Sequence, residues 1–243
     1  MQHLRLSGTS ARRRSGRLIL LAVSAQSFRN TLRGLQTAIL ALVMGITAWP
    51  ETPGKNHKNW ADYGGGPDSS HFVALNQIDK SNVSRLEVAW VYPNGDNQAY
   101  LFNPIVVDNV MYVLARDSSL VALHATTGKE IWVHEKLPGL STRGVAYWES
   151  KNRQDRRLIF AINDYLQAID ARTGKSILTF GANGLVDLRT GLGRDPKTIG
   201  RIQTDTPGRI FEDLILLGST PGEAYLAPPG DIRAYARLKV RPG

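Results

Sequence analysis

Three stretches of the sequence place functional groups where they could do chemistry. Arg143 stands in Ser-Thr-Arg-Gly-Val-Ala-Tyr-Trp, residues 141–148, and a guanidinium offers a planar two-donor fork for a carboxylate. Thr204 sits in the turn-rich run of residues 202–208, where its hydroxyl can donate or accept. Glu223 closes Gly-Ser-Thr-Pro-Gly-Glu, residues 218–223, five positions after Gly218. A carboxylate there could serve a hard cation such as calcium, which takes several oxygen ligands. Taken alone, each has an ordinary explanation: a solvated loop arginine, a turn threonine, a solvated glutamate. The absence of cysteine removes disulfides, thiolate nucleophiles and cysteine zinc sites.

The elements that must position these groups are announced by a repeat. Residues 112–133 recur at 158–179; at an offset of 46, eight of 22 positions are identical, among them Ala122/Ala168, Thr127/Thr173, Gly128/Gly174 and Lys129/Lys175. A self-similar unit of that length marks a propeller or a solenoid, since one unit cannot bury its own apolar face. Each copy reads as three short strands: Tyr112–Ala115, Leu120–His124 and the alternating Lys129–His134 in the first. Gly128 closes a tight turn, where positive φ is needed. With a fourth strand available per unit, the content is that of a propeller blade.

Charge narrows the function. The net charge is +9, but residues 1–50 hold seven arginines and no acidic residue. The remainder carries 23 basic and 21 acidic side chains, a surplus of two, which gives nucleic acid no basic face to read. The basic flank at Arg29 and Arg33, the apolar run Leu35–Trp49 and the small residues near Ala48 have the layout of a signal peptide. Too short for a comfortable membrane span, the run leaves an uncleaved anchor as the alternative. Residues 1–50 are thus expected to be a signal peptide or membrane anchor, 51–58 a linker and 59–243 an exported domain.

Beyond the linker, Leu86–Tyr92 is a strand candidate. Ile105–Val107 and Val110–Leu114 form a hairpin through Asp108-Asn109. Residues 137–148 are punctuated by glycine and proline, and 181–200 form a polar, glycine-rich insert without clear period. Ile210–Leu217 is a strand pair turning at Glu212-Asp213, and Ile232–Tyr235 a final short strand.

Several of these stretches together resemble one family. Trp60-x-x-Tyr63-Gly64-Gly65, the Leu86–Trp90 strand, Asn103-Pro104-Ile105-Val106-Val107-Asp108 and Pro229-Gly230-Asp231-Ile232-Arg233-Ala234-Tyr235 are similar to the pyrroloquinoline quinone (PQQ)-dependent dehydrogenases, the glucose-dehydrogenase-like branch in particular. The resemblance implies an all-β fold, part of an eight-bladed propeller whose blades carry A-x-D-x-x-T-G-x-x-x-W. Residues 122–132 match that pattern with His124 in the aspartate's place, and residues 168–178 with Leu178 in the tryptophan's. It makes Trp132 a core residue between blades. It also implies PQQ and calcium as cofactors, a sugar or alcohol as substrate, and a membrane quinone as electron acceptor in the periplasm. By resemblance Arg143, Thr204, Thr220 and Gly222 contact the cofactor and Glu223 ligates calcium, which would polarise the quinone C5 carbonyl. An aspartate base would take the hydroxyl proton while hydride moves to the quinone.

This sequence also departs from the pattern. Leu101 stands where relatives carry a polar contact to the cofactor. A third repeat begins at Ile232-Arg233-Ala234-Tyr235 and then loses the aspartate and Thr-Gly. The family's base and remaining ligands belong to blades beyond those present. The expectation is therefore a truncated enzyme, inactive alone and prone to associate through open strand edges, or a fragment completed by another chain. A non-catalytic exported propeller module is the alternative, and it needs neither Arg143 nor Glu223.

Overall fold

The computed structural model describes residues 59–66, 68–95, 101–202, 204–220, 227 and 230–236. The chain divides into two units, 1–54 and 55–243, and every described residue falls in the second. The leader and linker expected over 1–58 lie outside the described residues.

Short antiparallel strands build three sheets. The first joins β1 (Ile105–Val107), β2 (Val110–Ala115), β3 (Ser119–His124) and β4 (Glu130–His134) in chain order. The second joins β5 (Ala146–Glu149), β6 (Arg156–Ile162), β7 (Tyr165–Asp170) and β8 (Leu185–Asp187), also in order. The third centres β10 (Leu214–Leu217) between β9 (Arg209–Phe211) and β11 (Arg233–Tyr235). Asp108 and Asn109 both take positive φ, 49° and 66°, the two-residue hairpin turn whose twist matches its strands.

The run Leu158-Ile159-Phe160-Ala161 is buried throughout because its sheet is covered on both faces. Leu158, Phe160 and Ile169 pack with Ile105, Tyr112 and Leu120 of the first sheet. Ile159, Ala161 and Leu166 pack with Ile215 and Leu217 of the third. Face-to-face stacking of successive four-stranded meanders is blade packing.

A tryptophan locks one unit to the next. Trp132 on β4 donates its indole N–H to the Ala171 carbonyl at 3.1 Å and lies across Gly174. Trp90 repeats the arrangement one unit earlier, donating to the Ala125 carbonyl at 3.0 Å and lying across Gly128. A Cβ at Gly128 would stand 2.5 Å from Trp90, and one at Gly174 2.6 Å from Trp132. Glycine is thus required twice over at each position, by φ of 67° and 69° and by the indole above it. The turn aspartate is equally structural: Asp170 Oδ1 accepts from the Arg172 and Thr173 amides and the Thr173 hydroxyl at 2.9–3.0 Å.

Three expectations change. Leu86–Tyr92 is extended but forms no ladder with a described strand, and Leu86, Val88 and Val91 are 61%, 80% and 77% exposed. Trp90 and Tyr92 fix it instead, packing on Ala115, Val121 and Leu123, with the Tyr92 hydroxyl donating to Glu130 at 2.7 Å. The second copy's third strand does not form over 175–179, where only Ile169 and Ser176 make a bridge. Leucine stands in the place of the indole here, and Leu178 is 70% exposed, lying against Gly184. Its edge is taken instead by β8, drawn from the insert at 181–200. Residues 137–148, taken as a punctuated connection, contain β5.

Antiparallel order sets the ends. The β1–β2, β5–β6 and β9–β10 turns share one end of the stack. The β2–β3 and β6–β7 turns and the connections between sheets, 135–145 and 188–208, share the other.

Candidate cofactor site

At that second end the two connections meet over a cavity of about 300 Å³, lined by Leu101, Ser141, Thr142, Asn163, Arg201 and Thr204 among others. Ser141 is buried, its amide donating to the Ala161 carbonyl at 3.0 Å and its hydroxyl to the Asp205 carbonyl at 2.9 Å. That second bond ties the first connection to the second. Thr204 is also buried, its hydroxyl donating to the Thr206 carbonyl at 3.2 Å.

Arg143 is exposed beside the cavity-lining Thr142. Its carbonyl accepts from the Asn103 amide at 3.3 Å and from Asn103 Nδ2 at 3.4 Å, so the loop is pinned by the backbone while the guanidinium is left to solvent. Arg143 and Arg201 make no ion pair with a described residue. Around the opening the Arg201 guanidinium and the Thr142 hydroxyl can meet an anionic ligand, whereas the Ser141 and Thr204 hydroxyls already donate to backbone carbonyls and Asp205 also lines the wall.

The expected residues divide unevenly. The fold brings Thr204 to the cavity wall, whereas Arg143 is exposed and does not line it; only its neighbour Thr142 does. Thr220 is exposed and does not line it. Gly222 and Glu223 lie outside the described residues, and among the described ones no group of three His, Cys, Asp or Glu side chains could hold a metal. Leu101, noted as a departure, does line the cavity and contributes an apolar edge. Arg201, Ser141 and Asn163 were not singled out from the sequence. Arg201 carries no motif, and Ser141 gains meaning only from its bond across to residue 205.

A larger cavity of about 610 Å³ lies at the opposite end. Most of its charges are paired: Asp108 with Arg153 and Arg156, Glu149 with Arg153, and Asp62 with Arg209 at 3.0 Å, while Glu212 also lines it. Burial, reinforced by the Glu149 carboxylate, pushes the Tyr147 phenol well above its ordinary value.

Stacked antiparallel blades locked by tryptophan define part of a β-propeller, with a cavity on the loops between blades. Residues 60–238 match the family model described as glucose/ethanol/alcohol dehydrogenase, beta-propeller domain, the PQQ family, and the chain belongs to that family. It is 30% identical over 220 residues to the quinate/shikimate dehydrogenase (quinone) of Acinetobacter baylyi, covering 76% of this chain and 27% of that protein. It is 28% identical over 231 residues to quinoprotein glucose dehydrogenase A of Acinetobacter calcoaceticus, covering 78% and 28%. The quinohemoprotein alcohol dehydrogenase of Comamonas testosteroni superposes with a TM-score of 0.58 at 25% identity, over 76% of this chain and 26% of that one. The chain spans about a quarter of the length of these relatives.

Proposed function

We propose that this chain supplies one wall of the PQQ site in an exported dehydrogenase that oxidises a sugar or alcohol hydroxyl and delivers the electrons to a membrane quinone. The observation that carries the proposal is the cavity that Thr142, Arg201 and Thr204 line, its two loops joined by the Ser141–Asp205 hydrogen bond, with Arg143 exposed one residue beyond Thr142. PQQ is a tricarboxylate, and the unpaired guanidinium groups of Arg201 and the nearby Arg143 fit its charge, while the Thr142 hydroxyl fits a ring oxygen. When bound, PQQ accepts the hydride of the alcohol carbon.

The residues of this chain bind and orient. Arg143 clamps a carboxylate. Its backbone is pinned to Asn103, and Leu101 gives the cavity one apolar edge. Calcium is part of the same proposal through Glu223, on the strength of the Gly218–Glu223 motif alone. The proton-accepting aspartate is not assigned to a residue of this chain. Unpaired guanidinium groups favour this reading over a purely structural propeller module, which has no use for them.

Titration of the purified chain with PQQ, read by quinone absorbance and by thermal shift, tests the proposal. Saturable binding is expected with Arg143→Ala weakening it at least tenfold, since a charge-assisted hydrogen bond contributes about 1.5–3 kcal/mol. Calcium removal by a chelator should weaken it further. No turnover of glucose or ethanol by the chain alone is expected. Absence of saturable PQQ binding would overturn the reading.

A further inference from the structure

One two-residue turn touches both walls of the cavity. Asn163-Asp164 joins β6 to β7 in the middle blade, with Asn163 held at φ 52°. From one side, Asn163 donates its amide N–H to the Gly139 carbonyl at 3.1 Å and its side-chain Nδ2 to the Pro138 carbonyl at 3.0 Å. Gly139 presses so closely on it that a Cβ there would fall 2.1 Å from Asn163 Oδ1. These bonds fix the connection that runs on to Ser141 and Arg143.

From the other side, Asp164 Oδ1 accepts the Ile202 amide N–H at 2.8 Å, and the Asp164 carbonyl accepts that of Leu188, also at 2.8 Å. Its Oδ2 stands 3.7 Å from Arg189, which itself grips Asp187 at 2.9 Å. Ile202 is buried and lies two residues before Thr204, so its amide bond sets where that hydroxyl stands. The connection over 188–208 has little regular structure of its own beyond a single short turn at Pro196–Thr198. It therefore takes its course from such side-chain contacts.

We propose that Asn163 and Asp164 are positioning residues for the cofactor: Asn163 sets the Arg143 loop, Asp164 sets Thr204, and the rigid turn between them fixes the separation of the two. Neither side chain need touch the reacting atoms. The inference rests on the PQQ reading of the cavity, but its geometry can be checked apart from PQQ.

The test pairs amide hydrogen exchange with PQQ titration on the full chain and three variants. Asp164→Ala should release the Ile202 amide to exchange and weaken PQQ binding several-fold, as loss of one partner of a half-buried hydrogen bond implies. Asp164→Asn keeps an acceptor oxygen for that amide and should restore both protection and affinity to within about twofold of the parent. Asn163→Gly keeps the left-handed turn but loses the bond to Pro138; several-fold weaker binding is expected with only a modest fall in melting temperature. If Asp164→Ala fails to fold, the Asn163→Gly result and the Asp164→Asn comparison decide the matter. Faster Ile202 exchange with undiminished PQQ affinity would overturn the positioning role while leaving the PQQ reading intact. If the parent chain binds no PQQ, both fall, and the exchange data then report only a structural turn.

Discussion

Replacing Gly174 with alanine isolates what holds one blade to the next. Two costs add. Gly174 has φ of 69°, and placing an L-residue in the left-handed region costs about 1–2 kcal/mol. The new Cβ would also stand 2.6 Å from Trp132 Cε3 and 2.8 Å from Cδ2, distances no relaxed contact shows, so the indole must move. Moving it strains the 3.1 Å bond to Ala171 and the 2.6 Å contact in which His134 Nδ1 donates to the Gly174 carbonyl. Loss of one such bond adds about 0.5–1.5 kcal/mol, before any packing loss. The sum is about 3 kcal/mol. Gly193→Ala is the control, since Gly193 has nearly the same φ, 71°, with nothing within 4 Å of its Cβ; it should show the backbone cost alone. Urea unfolding followed by tryptophan fluorescence measures both. In the double variant Gly174→Ala/Trp132→Leu the steric part should vanish, giving a coupling of at least about 1 kcal/mol. Equal destabilisation by Gly174→Ala and Gly193→Ala would refute the claim that the indole demands glycine.

The turn of the first repeat should be improvable. His124 occupies the place where Asp170 accepts three hydrogen bonds, so His124→Asp should stabilise the chain by about 1 kcal/mol in the same unfolding assay; no gain would mean that the carboxylate is not what orders the second copy. Alkaline pH should unfold the protein through Tyr112, whose phenol is pushed up to about 12, chiefly by burial. Because the folded pKa is raised, the unfolded chain ionises first; stability holds below about pH 10 and falls as pH rises through 12. Tyr112→Phe should flatten that fall in melts recorded across the range, at the cost of the 3.1 Å bond to the Ala171 carbonyl. An unchanged slope would show that Tyr112 already ionises freely in the folded state.

Blade identity was legible because it is local. A hairpin turn needs Asp108-Asn109 or Thr-Gly in any context, and a 46-residue period survives even where side chains drift. The site was legible only in part. Arg143 and Thr204 stood out through resemblance to a family, while Arg201 and Asn163 were silent because their roles depend on partners far along the chain. The missed strands have the same cause. Three-residue strands such as Leu185–Asp187 show no period to read.

The sequence by itself determined the all-β class, the repeat, the location of its turns and the family, since each is written in short-range pattern. It also placed the excess positive charge in residues 1–50 and removed thiol chemistry from consideration. Tertiary structure decided which glycine lies under which tryptophan, why β6 is apolar on both faces, and which two loops share a cavity. Those are facts about neighbours across stacked sheets. Stacking direction, blade spacing and the bond from Ser141 to residue 205 arise only once one blade has packed upon another.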